Sequence, residues 1–217
     1  MHIIVIIFFS SIAYLLGSFP TSVWFGKYYF KIDILKHGSG NPGATNTFRV
    51  LGRRAGTIVL LGDILKGAIA TTLAVFLLRL DFIYPDELLR FRLLFGVFAV
   101  VGHIFSVFLN FKGGKGVATL LGVTLAIAPE GAAISIAIFV TVLMISKYVS
   151  VGSIVAALAF PLTLILLPAL RPDDPILIVY GFLLTIVIIW THRMNIRRLI
   201  KGEENKTNLM SMGNKGE

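Results

Sequence analysis

The chain has 217 residues, of which 56% are hydrophobic and 14% charged, with a formal net charge of +9 and a mean hydropathy of +0.87. A soluble domain is typically about 45–50% apolar with about a quarter of its residues charged, so an ordinary water-soluble fold is excluded. The absence of cysteine removes disulfides, thiolate–zinc sites and thioester chemistry.

Seven apolar segments can be drawn, over residues 3–26, 55–78, 92–111, 116–129, 131–146, 151–170 and 175–191. This predicts an all-α, polytopic membrane protein with seven transmembrane helices. The first segment lacks a basic leader and an Ala-x-Ala cleavage pattern, so it reads as a retained helix. The fourth and fifth are short and are expected to tilt or to be shielded by neighbours. Fifteen Lys and Arg residues fall in the loops on one side and four (Arg79, Arg90, Arg92, Arg171) on the other, with Lys66 inside a segment. The positive-inside bias then places the N-terminus outside and the C-terminus in the cytoplasm, and it accounts for the net charge without nucleic acid. Residues 1–201 read as a single transmembrane domain and residues 202–217 as a polar cytoplasmic tail.

Three groups of residues interrupt the apolar pattern. In the loop after the first segment, "KHGSGNPGATNTFR" (36–49) combines glycines, Asn, Ser and Thr between basic residues, a composition suited to wrapping an anion with backbone N–H groups. In "GDILKG", Asp63 and Lys66 stand three apart on one helix face. Such charges cost about 2.5–3.5 kcal/mol each in a membrane helix and so face a partner inside the bundle. They read either as an ion pair that locks packing, with Gly62 and Gly67 allowing close approach, or as functional groups.

In "GHIFSVFLNFKGGKGVAT", His103, Ser106 and Asn110 have i, i+3, i+7 spacing, which predicts one helix face. Asp63 and His103 are expected at one level, roughly 12 Å below the cytoplasmic surface at about 1.5 Å per residue. The following "KGGKG" is a second candidate anion loop. It is not a P-loop, because Gly116 and not Ser or Thr follows Lys115, and no strand precedes it. At the same edge, Ser150 in "KYVSVGS" is either a helix cap or a ligand. His192 and Asn195 in "WTHRMNIRR" are either part of an interfacial anchor with Trp190 or ligands. Together these residues predict a cytoplasm-facing site for more than one phosphate, opening among apolar helices.

The blocks "GSGNPGATNTFR", "GDILKG" and "GHIFSVFLNFKGGKGVAT", with the ending "THRMNIRRLIKGEE", resemble the bacterial acyl-phosphate:glycerol-3-phosphate acyltransferases over nearly the whole chain. The resemblance implies an enzyme of the bacterial cytoplasmic membrane with its active site facing the cytoplasm. It would transfer a fatty acyl group from acyl phosphate to the sn-1 hydroxyl of glycerol 3-phosphate, giving lysophosphatidic acid and phosphate, the first step of phospholipid synthesis. No metal or cofactor is implied. The soluble enzyme that makes acyl phosphate is a candidate docking partner.

On this reading Ser39, Gly40, Asn41, Gly43, Thr45 and Asn46 hold one phosphate with Arg49 as a clamp, and Lys112, Gly113, Gly114 and Lys115 hold another. Lys66 and His103 line the reacting end beside Asp63, Ser106 and Asn110. Ser150, His192 and Asn195 complete the binding set. The proton of the attacking hydroxyl goes either to His103 as general base or, as the favoured route, to the phosphate of the donor. An acyl-enzyme on Ser39 or Ser106 is unnecessary with an activated donor. The rival reading from another class is a membrane transporter for a phosphorylated solute.

Overall fold

The computed structural model describes residues 2–207, and among them the regular structure is entirely helical. The helices are α1 (His2–Ser18), α2 (Thr21–Phe30), α3 (Ala44–Arg79), α4 (Leu88–Ile104), α5 (Val117–Ile127), α6 (Pro129–Ser146), α7 (Val149–Leu166), α8 (Ile176–Thr191) and α9 (Arg193–Ile200). They form two compact units, residues 2–127 and residues 128–207. The tail expected over 202–217 is described to residue 207, and the remainder lies outside the described residues.

In the first unit α3 is the central element, packing against α1, α2, α4 and α5. The core is built of small residues and a few large ones: Ala13, Ala70, Ala74, Leu77, Phe95 and Ala99. Small side chains let helix backbones approach, which is how helices associate when the solvent is lipid. Gly67 and Gly122 show this directly, because a methyl on either would overlap the backbone of the facing helix at Thr119 or Ile64. Along the opposite face of α3, Ile58, Leu61, Leu65, Ile69 and Phe76 are exposed. A long apolar stripe of this kind is a liability in water and the expected surface in a bilayer. In the second unit α7 packs between α6 and α8, with Pro161 of α7 against Gly181 of α8.

Four helical stretches are long and apolar enough to cross a membrane, and six if each bent pair is one span. The bends are 46° between α1 and α2 and 58° between α8 and α9. The first falls at Phe19–Pro20, because Pro20 has no N–H to continue α1. The chain is thus a multi-pass membrane protein, in which up to six of the seven segments drawn from the sequence are long and apolar enough to cross by themselves. The seventh is α5, of 11 residues, the fourth segment, which the sequence already marked as short. Two boundaries differ. Helix α3 begins at Ala44, well before residue 55, and kinks at Gly52, whose φ of 83° suits glycine. Helix α4 stops at Ile104, so the third segment does not run as helix to residue 111.

Candidate functional site

The first glycine loop is organised by a buried amide. Asn46, 1% exposed, accepts a hydrogen bond from the Ser39 N–H at 2.8 Å and donates to the Ile34 and His37 carbonyls at 3.1 and 3.0 Å. Gly38 and Gly40 adopt φ of 62° and 68°, left-handed values that let the chain wrap around this amide. Asn46 therefore shapes the loop from within, and its amide is spent on backbone. Ser39 and Arg49 are exposed, and Gly40, Asn41, Gly43 and Thr45 are half-buried. Gly43 caps the N-terminus of α3, where the first backbone N–H groups have no intrahelical acceptor and favour an anion.

About three turns beyond the kink at Gly52 lies the charged pair. Lys66 Nζ is 2.9 Å from Asp63 Oδ1, and the same oxygen accepts from Thr21 Oγ1 at 2.9 Å. The ammonium also donates to the Phe19 carbonyl at 3.0 Å. That carbonyl is available because the chain breaks there between α1 and α2. Both side chains are buried, and the ion pair anticipated from the sequence is present. Lys66 has three donors, so two are accounted for and a third remains for the cavity that it lines.

His103 stands one residue from the end of α4 and is buried. Its Nδ1 lies 3.1 Å from Thr119 Oγ1 and 4.0 Å from Asp63 Oδ1. The second glycine loop folds back over it: Gly113 N–H donates to the Ile104 carbonyl at 2.9 Å and Gly114 N–H to the His103 carbonyl at 3.0 Å. These bonds cap the last turn of α4. They correct the sequence reading, because the two amides expected to form an anion nest already have acceptors. The charged groups of this loop are Lys112, which is exposed, and Lys115, which is half-buried.

A second correction concerns His103, Ser106 and Asn110, which do not share a helix face because the helix ends between the first and second. Ser106 is buried and donates to the Ser18 carbonyl. Asn110 is exposed and left-handed at φ 50°. Likewise His103 is not two turns inside a helix but at its last turn, covered by loop.

These pieces enclose a small cavity of ≈ 10 Å³, lined by Ser18, Asp63, Lys66, His103, Ser106 and both glycine loops through Pro42, Gly113 and Gly114. That is about the volume one water needs. Beside it is a groove of ≈ 380 Å³ lined by Pro20, Val23, Trp24, Tyr28, Phe108 and Leu109, together with Lys27 and Lys31. Pro20 and Leu109 border both spaces. The sequence reading missed Ser18, Thr21 and Thr119. The available signal was the "SFPT" break in the first apolar segment, where proline exposes carbonyls and places hydroxyls beside them.

The second unit holds its own polar cluster. The Glu204 carboxylate accepts from Ser150 Oγ at 3.0 Å, Asn195 Nδ2 at 2.6 Å and Arg198 Nε at 2.8 Å. Burial pushes this carboxyl up, but the hydrogen bonds from Arg198, Asn195 and Ser150 outweigh it and hold it below its ordinary value. Thr207 N–H donates to the Lys147 carbonyl at 2.7 Å, tying the tail to the α6–α7 turn. Ser150 therefore acts across the unit and not as a helix cap. His192 is buried, with Nδ1 2.8 Å from the Ile188 carbonyl. Trp190 is exposed, with the Arg193 guanidinium 4.6 Å from its ring centre. Among the described residues, no three His, Asp or Glu side chains converge on a metal site.

Residues 7–202 match the family model described as glycerol-3-phosphate acyltransferase. A protein of that name from Listeria welshimeri is 47% identical over 94% of this chain and 98% of its own length. Another from Chlorobium luteolum is 43% identical over 90% and 94%. Two crystal structures of an integral membrane glycerol 3-phosphate acyltransferase superpose on 95% of this chain and 97% of theirs. The glycerol 3-phosphate form has a TM-score of 0.78 at 35% identity. The lysophosphatidic acid form has 0.79 at 33% identity.

Proposed function

The chain belongs to the glycerol-3-phosphate acyltransferase family, and we propose that its acyl donor is acyl phosphate, with direct transfer to the sn-1 hydroxyl of glycerol 3-phosphate. The observation that carries this reading is the meeting of the two glycine loops. Pro42 of the first and Gly114 of the second lie against His103 and Lys66, beside a groove lined by apolar residues and two lysines. Both substrates are phosphate esters or anhydrides, and one carries a chain that belongs in lipid.

In the reaction, the glycerol hydroxyl oxygen bonds to the acyl carbon and the bond from that carbon to the phosphate oxygen breaks. The hydroxyl proton passes to the departing phosphate, so the products are lysophosphatidic acid and hydrogen phosphate. The leaving group is already good, which makes positioning and charge stabilisation the main work of the protein. The remaining Lys66 donor and the His103 ring face the reacting end. Ser39, Gly40, Asn41, Gly43 and Thr45, with Arg49, hold one phosphate at the N-terminus of α3, on a loop shaped by Asn46. Lys112 and Lys115 attract the other. In the second unit, Ser150 and Asn195 grip the Glu204 carboxylate and His192 lies against the Ile188 carbonyl, so this cluster holds the unit together and takes no substrate phosphate. The acyl chain leaves along the groove past Trp24 and Phe108. The cavity holds about one water, so the loops must open for substrate.

We place the N-terminus outside, the C-terminus and the site in the cytoplasm, and the enzyme in the bacterial cytoplasmic membrane, with seven crossings in a single domain over 1–201. Cysteines introduced at Lys31, Lys112 and Lys206 should then react only from the cytoplasmic side, and those at Asp86 and Asp173 only from outside. The functional test uses purified protein in bilayers with labelled glycerol 3-phosphate and either acyl phosphate or acyl-CoA. Lysophosphatidate should form with the first donor alone. Donor-independent uptake of the label into vesicles would favour the transporter instead.

A further inference from the structure

We propose that Thr119 is a positioning residue that fixes the tautomer of His103, making the imidazole a hydrogen-bond donor toward the cavity and not a proton acceptor. Thr119 is fully buried, at the point where α5 lies against Gly67 of α3. This close helix approach sets where its hydroxyl sits. A buried hydroxyl needs an acceptor, because a donor left unpaired away from water loses its hydration with nothing in return. Among the described residues the one partner of Thr119 Oγ1 is His103 Nδ1, at 3.1 Å.

The competing partner for Nδ1 is Asp63. Its Oδ1 is 4.0 Å away, beyond hydrogen-bond range, and already receives Thr21 and Lys66 at 2.9 Å each. Nδ1 therefore accepts the threonine proton, and a neutral imidazole that accepts at Nδ1 carries its own proton at Nε2. Nε2 faces Gly114, where any side chain would collide with it, so the glycine keeps that edge clear. Pro42, Lys66, Ser106 and Gly114 line the cavity with the ring.

The consequence rests on the acyltransferase reading. An Nε2–H can stabilise charge growing on the acyl carbonyl or the phosphate. It cannot take the proton of the glycerol hydroxyl without first losing its own. The arrangement thus gives the substrate-assisted route its structural reason.

The test is solid-state NMR of protein carrying ¹⁵N-histidine in bilayers, with the His103 signals assigned from a His103→Gln variant. The wild type should show Nδ1 unprotonated and Nε2 protonated. Thr119→Ser should keep that pattern, and Thr119→Val should lose it. In the same preparations, Thr119→Val should lower kcat about tenfold with KM for glycerol 3-phosphate unchanged, a fraction of the ~10²–10³-fold cost of losing an oxyanion donor outright. Thr119→Ser should recover most of the rate. A proton on Nδ1 in the wild type overturns the proposal whether or not Thr119→Val folds. So does a Thr119→Val protein with the wild-type tautomer, whatever its rate. If the spectra agree and acyl phosphate is not consumed, the tautomer assignment stands and the acyltransferase reading fails.

Discussion

The two polar clusters solve one problem in opposite ways. In the first unit, Asp63 and Lys66 neutralise each other between apolar helices, and Thr21, Phe19, His103 and Thr119 are arranged around them. In the second, the anion is Glu204 from the tail, held by Ser150, Asn195 and Arg198 at the end of the helices. The first cluster borders a cavity and retains an unassigned Lys66 donor. The second surrounds its own carboxylate. Polar residues in a membrane protein are therefore not uniformly ligands: a cluster closed on a carboxylate of the chain stabilises, and one left open toward a cavity is free to act.

The largest expected effect follows from the first cluster. Lys66→Met leaves Asp63 buried without its counter-charge and should destabilise by about 3–5 kcal/mol, whereas the double variant Asp63→Asn/Lys66→Met should recover most of that. Thermal unfolding in detergent measures both, and the stable double variant should still be inactive. If it retained activity, the pair would be packing alone.

Next comes the loop interior. Asn46→Ala removes three hydrogen bonds from the first glycine loop, at about 0.5–1.5 kcal/mol each. It should raise KM for a phosphate-bearing substrate more than it lowers the melting temperature of the whole protein.

The second cluster gives a smaller, pH-dependent effect. Glu204 is held below its ordinary value of 4.5, so its stabilisation is present above that value and is lost as pH falls through the folded-state pKa. Glu204→Gln should flatten the loss of stability on acidification in this range and change little in its pH dependence at neutrality. An unchanged acid slope in melting temperature would remove the carboxylate from the account.

The smallest expected change is in the groove. Val23→Trp should shift donor preference toward shorter acyl chains by a few fold, since one methylene displaced from an apolar site is worth about 0.8 kcal/mol. The ratio of kcat/KM for long and short acyl phosphates reads it.

Much of this was legible in the sequence because it rests on local chemistry. Apolar runs located the helices, the Asp63–Lys66 spacing placed both charges on one face, and the glycine loops marked breaks between helices. What was not legible depended on contacts distant in the chain. Periodicity continued α4 through Asn110, but the return of Gly113 and Gly114 onto the His103 and Ile104 carbonyls caps the helix earlier. Asn46 reads as a ligand until the Ile34 and His37 carbonyls, brought close by the loop, occupy its amide. Ser150 and Asn195 belong to no visible pattern with Glu204, since the pairing spans 54 residues in one case. Thr119 looked like an unremarkable helix residue, and its role depends on Gly67 allowing α5 to reach the ring.

The central claim is that two glycine loops, Lys66 and a donor-tautomer His103 serve acyl transfer from an activated phosphate. The most direct measurement is single-turnover formation of lysophosphatidate by the purified protein, with acyl phosphate or acyl-CoA as donor, in wild type and His103→Gln, across pH. The account predicts product from acyl phosphate alone. It also predicts a slower His103→Gln enzyme that keeps the same ascending limb, with the limb moving when the phosphate of the donor is replaced by an analogue of different pKa. Efficient transfer from acyl-CoA, or a limb that vanishes with His103 and ignores the analogue, would contradict it.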